Sequence, residues 1–324
     1  MAVGRCPDRR IGSVVAALLA DLFESHRAHL LAVAYRLTGS VADAEDAVQE
    51  SWLRLANARQ SEIEDLRAWL TTVVSRLCLD RLRSAAVRRE SYVGQWLPEP
   101  VVTPLSGARP ADPLAVVVRG QEFRFAAMMV LDSLTPPQRV AFVLHEGLSV
   151  PYEEIAGILG VTVDAARQLA ARARRSVRSA PEPVTDAEHE TAVQRLLVAL
   201  NSGDVHAVAA ALHPETVMIG DANGTTSTAL NVITGPDKVA RFFLGLMRRY
   251  GFTEVGESSG FEFVLVNGRL GALIHERRPD GVHPGYPRRV IGFSVVDGLI
   301  AGTYDIANPE KLSGIRPAPP TGAP

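Results

Sequence analysis

The stretch from residue 34 to residue 58, AYRLTGSVADAEDAVQESWLRLANA, decides how the chain is read. As a helix it places Val41, Ala44, Val48, Trp52 and Leu55 at three- and four-residue spacing on one face. Asp43, Asp46 and Glu50 gather on the opposite face, with Gln49 and Glu45 towards its edges. Thr38 and Ser40 offer caps, and acidic groups near an N-terminus suit the helix dipole. Charge pattern alone makes this the solvated side of an amphipathic helix. A basic partner would make it a docking surface.

Upstream, residues 22–38 (LFESHRAHLLAVAYRLT) read as an amphipathic helix. Residues 1–21 read as a disordered extension leading into it. Arg5, Arg9 and Arg10 before the apolar run Ile11 to Ala20 loosely mimic a signal peptide, but Asp21 and Glu24 follow at once and no cleavage site is evident. Downstream, a polar loop at 59–66 leads to a helix over 67–90. Between Arg76 and Arg89 it holds five Arg and one Asp, a local charge of +4, with Trp69, Val73, Leu77, Leu79 and Leu82 on its buried side. Residues 22–95 are therefore expected to form a bundle of about three or four helices. Residues 96–121 carry Pro98, Pro100, Pro104, Pro110 and Pro113, which favour an extended linker. Trp96 and Leu97 are apolar for a free linker and are expected to pack on something.

Residues 122–179 return to helix, and 151–178 (PYEEIAGILGVTVDAARQLAARARRSVR) have the form of a helix–turn–helix. Tyr152 to Leu159 make the first helix, Gly160 and Val161 the turn, and Thr162 caps the second helix. Ala166, Leu169, Ala170, Ala173 and Val177 face inward; Arg167, Gln168, Arg172, Arg174, Arg175 and Arg178 face outward. A helix end with arginines fits the major groove, where arginine pairs with guanine edges and phosphate.

Two stretches resemble one family. RLTG-x-x-x-DAEDAVQE-x-W, from Arg36 to Trp52, resembles region 2 of bacterial RNA polymerase sigma factors of the extracytoplasmic-function (ECF) class. LTPPQRVAFVLHEGLSVPYEEIAGILGVTVDAARQLAARARR, from Leu134 to Arg175, resembles region 4. The resemblance implies that Asp43, Asp46, Gln49 and Glu50 dock on the clamp helices of the largest subunit of core polymerase. It implies that Gln60, Ser61 and Asp65 form a pocket for the −10 promoter element, with Arg76, Arg81, Arg83, Arg88 and Arg89 holding the opened strand. It also implies that Thr162, Ala165, Arg167, Gln168, Arg172, Arg175 and Arg178 read the −35 element. Where many ECF factors read Gly-Thr-Val-basic-Ser-Arg, this chain has Asp164-Ala165-Ala166-Arg167-Gln168-Leu169, so the resemblance gives the role of this helix and not the promoter sequence it reads.

After a short linker at 180–187 the pattern changes. Helices are expected at 188–202, 204–212 and 236–250, a strand at 216–220, and further strands separated by Asn267-Gly268, Asp280-Gly281 and Asp297-Gly298. The expected architecture is α+β, an antiparallel meander covered by helices. This part, 188–312, resembles the SnoaL-like branch of the NTF2-like fold, a cone with a curved antiparallel sheet around a pocket. Relatives include cyclases and isomerases, which makes His213, Asp221, His275, Glu276 and Asp305 acid–base candidates, though no pair of them has a diagnostic spacing.

WLPEP at 96–100, GDANGT at 220–225 and NPEKL at 308–312 further resemble the marker segments of ECF factors with a fused SnoaL-like domain, the sigma-J-like group. That likeness implies regulatory contacts between domains through Trp96, Leu97, Pro98, Asp221, Gly224, Asn308, Pro309 and Lys311. Where that group usually reads Asp-Gly-Gly-Gly-Lys, Asp221-Ala222-Asn223-Gly224-Thr225 lacks the Lys. The tail from 313 to 324 is expected to be disordered.

The formal net charge of the 324 residues is −2, so local charge has to carry any argument for nucleic acid. Lys238 and Lys311 are the two lysines. Cys6 and Cys78 give no disulfide framework and no zinc spacing, as expected in a reducing cytoplasm. The expected partners are core polymerase and promoter DNA, with a small molecule in the cone as an open third. No catalysis, cofactor, metal or membrane contact is expected. The rival readings are an active cyclase or isomerase in the last domain, and a helix–turn–helix regulator that works without polymerase.

Overall fold

The computed structural model describes residues 8–89, 92–105, 114, 124–178, 184–226, 228–252, 255 and 260–315. The first helix, α1 (Asp8–Thr38), starts well before residue 22, because no proline interrupts the sequence between Ile11 and Thr38. It is followed by α2 (Val41–Asn57), a 3₁₀ turn at Gln60–Glu62, and α3 (Leu66–Arg89). Ser40 Oγ accepts the Asp43 N–H at 3.2 Å, and Asp65 Oδ1 accepts the Ala68 N–H at 3.0 Å, so two short polar side chains start the two helices. Leu30, Tyr35, Leu37, Ala44, Val48, Leu55, Leu70 and Val74 close the three helices on one another.

Four further helices follow: α4 (Phe125–Asp132), α5 (Pro136–Leu148), α6 (Tyr152–Leu159) and α7 (Val163–Val177). Thr135 and Gln138 make a capping box at the start of α5. Between α6 and α7, Gly160 takes φ 68°, the left-handed conformation that turns the chain without a Cβ penalty. The apolar residues of α4–α7 join those of α1–α3 in one continuous core. Two arginines stitch the seam. Arg139 of α5, 3% exposed, gives one guanidinium N–H to the Leu37 carbonyl at the end of α1 at 3.0 Å and another to Asp132 at 2.7 Å. Arg76 of α3 donates to the Gly157 carbonyl of α6 at 3.1 Å.

The last part holds α8 (Asp186–Ser202), α9 (Val205–Ala210) and α10 (Pro236–Tyr250). Its strands are β2 (Leu212–Asp221), β3 (Ile233–Thr234), β4 (Phe261–Val266), β5 (Arg269–Ile274), β6 (Arg289–Val296) and β7 (Leu299–Ile306). A 3₁₀ turn at Pro309–Leu312 closes it. Strand order is β1-β4-β5-β6-β7-β2-β3, where β1 (Val102–Pro104) comes from the Pro-rich segment. Two expectations are corrected. The sheet is mixed, because β2 pairs in parallel with β7. Asp280-Gly281 does not make a tight hairpin: β5 and β6 pair antiparallel, but β5 ends at Ile274 and β6 begins at Arg289, with one bridge, Arg277 to Tyr286, between them. Pro279, Pro284 and Pro287 deny that connection the donors a ladder needs.

Alternation along the strands gives the sheet two buried faces. Phe261, Ala272, Ile274 and Val295 meet α8, α9 and α10 on one side. Val264, Val266, Leu273, Val290, Tyr304 and Ile306 on the other side enclose Leu97 and Phe125. Helix α4 therefore belongs to two cores: Phe125 packs on the sheet, its ring 4.9 Å from that of Tyr304, while Met128 and Leu131 face the helices. Of the expected linker, residues 96–105 are part of the packed fold; 106–113 and 115–123 lie outside the described residues, as do residues 1–7 of the expected extension, residues 179–183 and the tail from 316.

Candidate functional site

Helix α2 holds its acidic face outward by burying Ala44, Ala47, Val48 and Leu55. Asp46 and Gln49 are exposed, and Asp43 and Glu50 are half-buried. The face has a cation of its own. Arg81 from α3 bonds Asp43 at 3.2 Å and Asp46 at 3.3 Å, and Arg54 bonds Glu50 at 3.3 Å. Arg81 is thus set apart from the other arginines expected to hold DNA: it lies on the acidic surface. Arg83 is exposed and pairs loosely with Asp80, while Arg76 is exposed and reaches α6. The side chains of Arg88 and Arg89 lie outside the described residues. Gln60, Ser61 and Asp65 are exposed on the loop before α3; Gln60 donates weakly to the Leu55 carbonyl, and Asp65 caps α3. Trp69 packs half-buried against the helical core.

In α7, Ala166, Ala170 and Ala173 are buried, and their small side chains let the helix lie close on α5 and α6. Thr162 Oγ1 accepts the Ala165 N–H at 3.2 Å. Gln168, Arg172, Arg175 and Arg178 are exposed. Arg167 is held by Asp164 at 3.2 Å and Glu153 at 3.7 Å, with its guanidinium 5.7 Å from the Tyr152 ring centroid, and Arg174 is held by Glu146. Gln168, Arg172, Arg175 and Arg178 thus point outward without an ion pair among the described residues, whereas Arg167 is engaged by carboxylates.

The densest polar site lies where the segment 92–101 crosses the sheet. Asp221, fully buried at the end of β2, accepts the Leu97 N–H at 2.7 Å, the Tyr92 hydroxyl and the Lys311 ammonium at 2.5 Å. Lys311 also donates to the Leu97 carbonyl and stands 4.1 Å from the Trp96 ring centroid, a cation–π contact. Asn308 donates to the Tyr92 hydroxyl at 2.9 Å and caps the turn that carries Pro309 and Lys311. Leu97 and Pro98 are buried, and Pro309 is exposed. Gly224 has φ 70°, and a Cβ there would meet Val93 at 3.2 Å, while Asn223 beside it accepts the Val93 N–H. Burial drives the Tyr92 phenol well above its ordinary pKa, and the hydrogen bond to Asp221 adds to the shift.

Sequence reasoning missed a second clasp. Asn267, 1% exposed in the β4–β5 turn, accepts the Val101 N–H at 2.9 Å and donates to the Tyr35 hydroxyl of α1 at 2.8 Å. Tyr35 in turn donates to the Glu99 carbonyl at 2.7 Å. The Glu99 carboxylate accepts the Val41 N–H at 2.8 Å and the Ser40 hydroxyl at 3.2 Å, capping α2 from the segment that follows α3. The Asn267-Gly268 pair signals a turn; nothing local signals the long-range bonds.

The acid–base candidates are scattered. Asp221 is taken up by the clasp. His213 accepts the Glu215 N–H, His275 is bonded to Glu262 at 2.9 Å, and Glu276 is exposed. Of the five, Asp305 alone lines the cavity within the cone.

Comparison with known proteins fits this layout. The pattern of Sigma-70 region 2 matches residues 22–88, and that of Sigma-70 region 4 matches residues 124–177. The chain is 50% identical over 307 residues, 93% of its own length and 96% of the relative's, to the ECF RNA polymerase sigma factor SigJ of Mycobacterium tuberculosis. This chain belongs to the ECF sigma factors. As such it binds core RNA polymerase, recognises promoter DNA and initiates transcription. It is also 35% identical over 221 residues to the probable ECF RNA polymerase sigma factor SigI of that species, covering 67% of this chain and 73% of the relative. The crystal structure of M. tuberculosis SigJ superposes with a TM-score of 0.77 at 48% identity, covering 91% of this ECF factor and 98% of that chain. The fold is thus helical regions 2 and 4 followed by an α+β domain with a mixed, curved sheet. No helix among the described residues is long and apolar enough to cross a membrane.

Proposed function

We propose that this ECF factor meets core polymerase through Asp43, Asp46, Gln49 and Glu50 of α2, holds the opened −10 strand with residues 59–89, and reads the −35 element with α7, all in the cytoplasm. Gln168, Arg172, Arg175 and Arg178, exposed and without an ion pair among the described residues, support the last assignment. The working divisions are region 2 at 22–95, a connecting segment at 96–121, region 4 at 122–179 and the SnoaL-like domain at 188–312. We read the last domain as a regulator without catalysis. Asp305 is engaged by Arg289, and the remaining acid–base candidates sit away from it.

One observation carries the regulatory reading: Asn267 bonds region 2 through Tyr35 and the connecting segment through Val101, on a sheet that also seats Phe125 at the start of region 4. The domain thereby holds together two regions that promoter binding must separate. The recognition helix is tested by binding to a cognate promoter fragment. Arg172→Ala is expected to cost about 1–3 kcal/mol and relax specificity at one base, if that side chain reads a base edge. Arg178→Ala is expected to weaken binding uniformly and lower the salt slope by about one, as loss of a phosphate contact does. Unchanged binding by both variants would remove α7 from the DNA.

A further inference from the structure

Helix α10 packs into the C-terminal domain through Val239, Ala240, Phe243, Leu244 and Tyr250, all buried. Its opposite side is cationic. At 3.6 residues per turn, Lys238, Arg241, Arg248 and Arg249 fall within an arc of about 100°, and all four are exposed. The helix carries one acid, Asp237, at the edge of that arc. None of the four cations has an ion pair among the described residues. Arg248 donates to the Leu244 carbonyl of its own helix at 3.3 Å, and the Arg249 guanidinium stands 5.9 Å from the Tyr250 ring centroid. Beyond the helix, Arg277 donates to the Tyr250 carbonyl, Arg278 is exposed, and the His283 ring lies against Gly251. Asp280 in the same loop is engaged by His283.

The fold does not require this stripe. Arg248 and Arg249 suit the negative end of the helix dipole, but Lys238 and Arg241 stand in the first half of α10, where the dipole opposes a cation. They are also three residues apart, close enough to repel. Gly245 lies in the middle of the arc. A Cβ there would meet nothing within 4 Å, so no neighbour demands a glycine, and an interior glycine weakens a helix. It leaves a notch at the centre of the stripe where a second backbone can come close.

We propose that this face of α10 holds the sugar–phosphate backbone of duplex DNA without reading its sequence. From Lys238 to Arg249 the helix advances about 16 Å at 1.5 Å per residue, which matches about five steps of one strand at ~3.4 Å each. Arginine forks and the lysine ammonium pair with phosphate oxygens, and the Gly245 notch seats the strand between them. Residues 178–185 join α7 directly to α8, so DNA bound by region 4 meets the C-terminal domain at high effective concentration. The proposal rests on promoter binding by the chain and not on the assignment of α7.

The test is fluorescence anisotropy of the full chain with a labelled duplex of scrambled sequence, from about 50 to about 200 mM salt. The stripe is exposed while regions 2 and 4 share one core, so neither core polymerase nor opening of the seam is needed. Wild type is expected to bind with a Kd of about 10⁻⁶–10⁻⁴ M. Lys238→Gln, Arg241→Gln, Arg248→Gln and Arg249→Gln combined are expected to weaken binding about tenfold or more at the lowest salt. The slope of log K against log salt is expected to fall by about three, since each phosphate contact supplies about 0.9. A cognate promoter duplex of equal length is expected to show the same loss, whereas Arg172→Ala acts chiefly on the cognate duplex. Gly245→Glu keeps every cation and improves the helix, so it serves even where the fourfold variant fails to fold. It is expected to weaken both duplexes severalfold with unchanged far-ultraviolet circular dichroism. No saturable binding of the scrambled duplex, an unchanged salt slope in the folded fourfold variant, or a loss confined to the cognate duplex would each overturn the proposal. So would undiminished binding by folded Gly245→Glu. A fourfold variant that keeps its duplex affinity but no longer co-purifies with core polymerase would overturn it too, by assigning the stripe to an acidic protein surface.

Discussion

Lys311 is one of two lysines in the chain, and its ammonium is shared between a fully buried carboxylate and an indole ring. Arginine, more weakly hydrated, is the usual choice for buried pairs. Here the compact ammonium fits between Asp221, the Leu97 carbonyl and Trp96. Lys311→Met keeps much of the packing but strands Asp221, with the Leu97 and Tyr92 donors as its remaining partners. Breaking one side of a buried pair costs about 3–5 kcal/mol, so urea unfolding of Lys311→Met is expected at clearly lower denaturant than wild type. An unshifted midpoint would show that the pair adds no stability. A second residue sets an acid limit. Burial, with Arg67 and His26 adding to it, lowers the pKa of His29 to about 4 from 6.5. Between those values the unfolded chain binds a proton that the folded chain refuses, so stability falls as pH falls through this window. His189, buried at the Leu270 carbonyl, is lowered for the same chief reason and acts in the same direction. His29→Gln is expected to flatten the decline of Tm between pH 6.5 and 4 relative to wild type. An identical decline would place the acid sensitivity elsewhere. The sequence made Asp221, Trp96 and Lys311 visible through marker segments, whereas Asn267 and Tyr35 lie 232 positions apart and carry no local sign of meeting.

At the scale of elements, α2 shows what periodicity does and does not disclose. Its buried stripe and acidic stripe followed from spacing alone. The guanidinium of Arg81 bridging Asp43 and Asp46 did not, because it arrives from α3. If this face docks on a basic partner as proposed, the partner replaces an internal cation as well as water. Asp43→Arg combined with Glu50→Arg is expected to abolish co-purification with core polymerase, since it sets like charge against the partner and repels Arg81. The buried Ala44, Val48 and Leu55 are untouched, so helix content is expected to hold. Retained co-purification would move the docking surface elsewhere. The helix–turn–helix was legible because turn, cap and basic face are all local. The parallel pairing of β2 with β7 was not, since the partner of a strand depends on the path of the whole chain. Asp280-Gly281 carried a true turn signal, but three flanking prolines stop the pairing of β5 with β6 at Ile274 and Arg289, well short of it.

At the scale of the molecule, geometry poses a constraint that the resting arrangement does not meet. Promoter elements centred near −35 and −10 are about 25 base pairs apart, or about 85 Å at ~3.4 Å per pair. In the structure regions 2 and 4 share one continuous core, with Arg139 bonded to the Leu37 carbonyl and Arg76 to the Gly157 carbonyl across the seam. Reading both elements at once requires that seam to open. On the proposed regulatory reading the C-terminal domain opposes opening, because its sheet contacts region 2 at Tyr35, the connecting segment at Leu97 and Val101, and region 4 at Phe125. The population of a minority state rises exponentially with any loss of stability of the closed form. Asn267→Ala removes the acceptor for Val101 and the donor to Tyr35, at a cost of about 1–3 kcal/mol for the groups left unpaired. In vitro transcription with core polymerase at limiting concentrations of the chain is then expected to rise about fivefold or more, the factor that about 1 kcal/mol supplies. Lys311→Met, acting on the other clasp, is expected to shift transcription the same way, and both variants should bring a donor–acceptor dye pair placed on α2 and α7 further apart. Transcription that stays level or falls while the dyes separate would mean that the domain supports the active arrangement and does not restrain it.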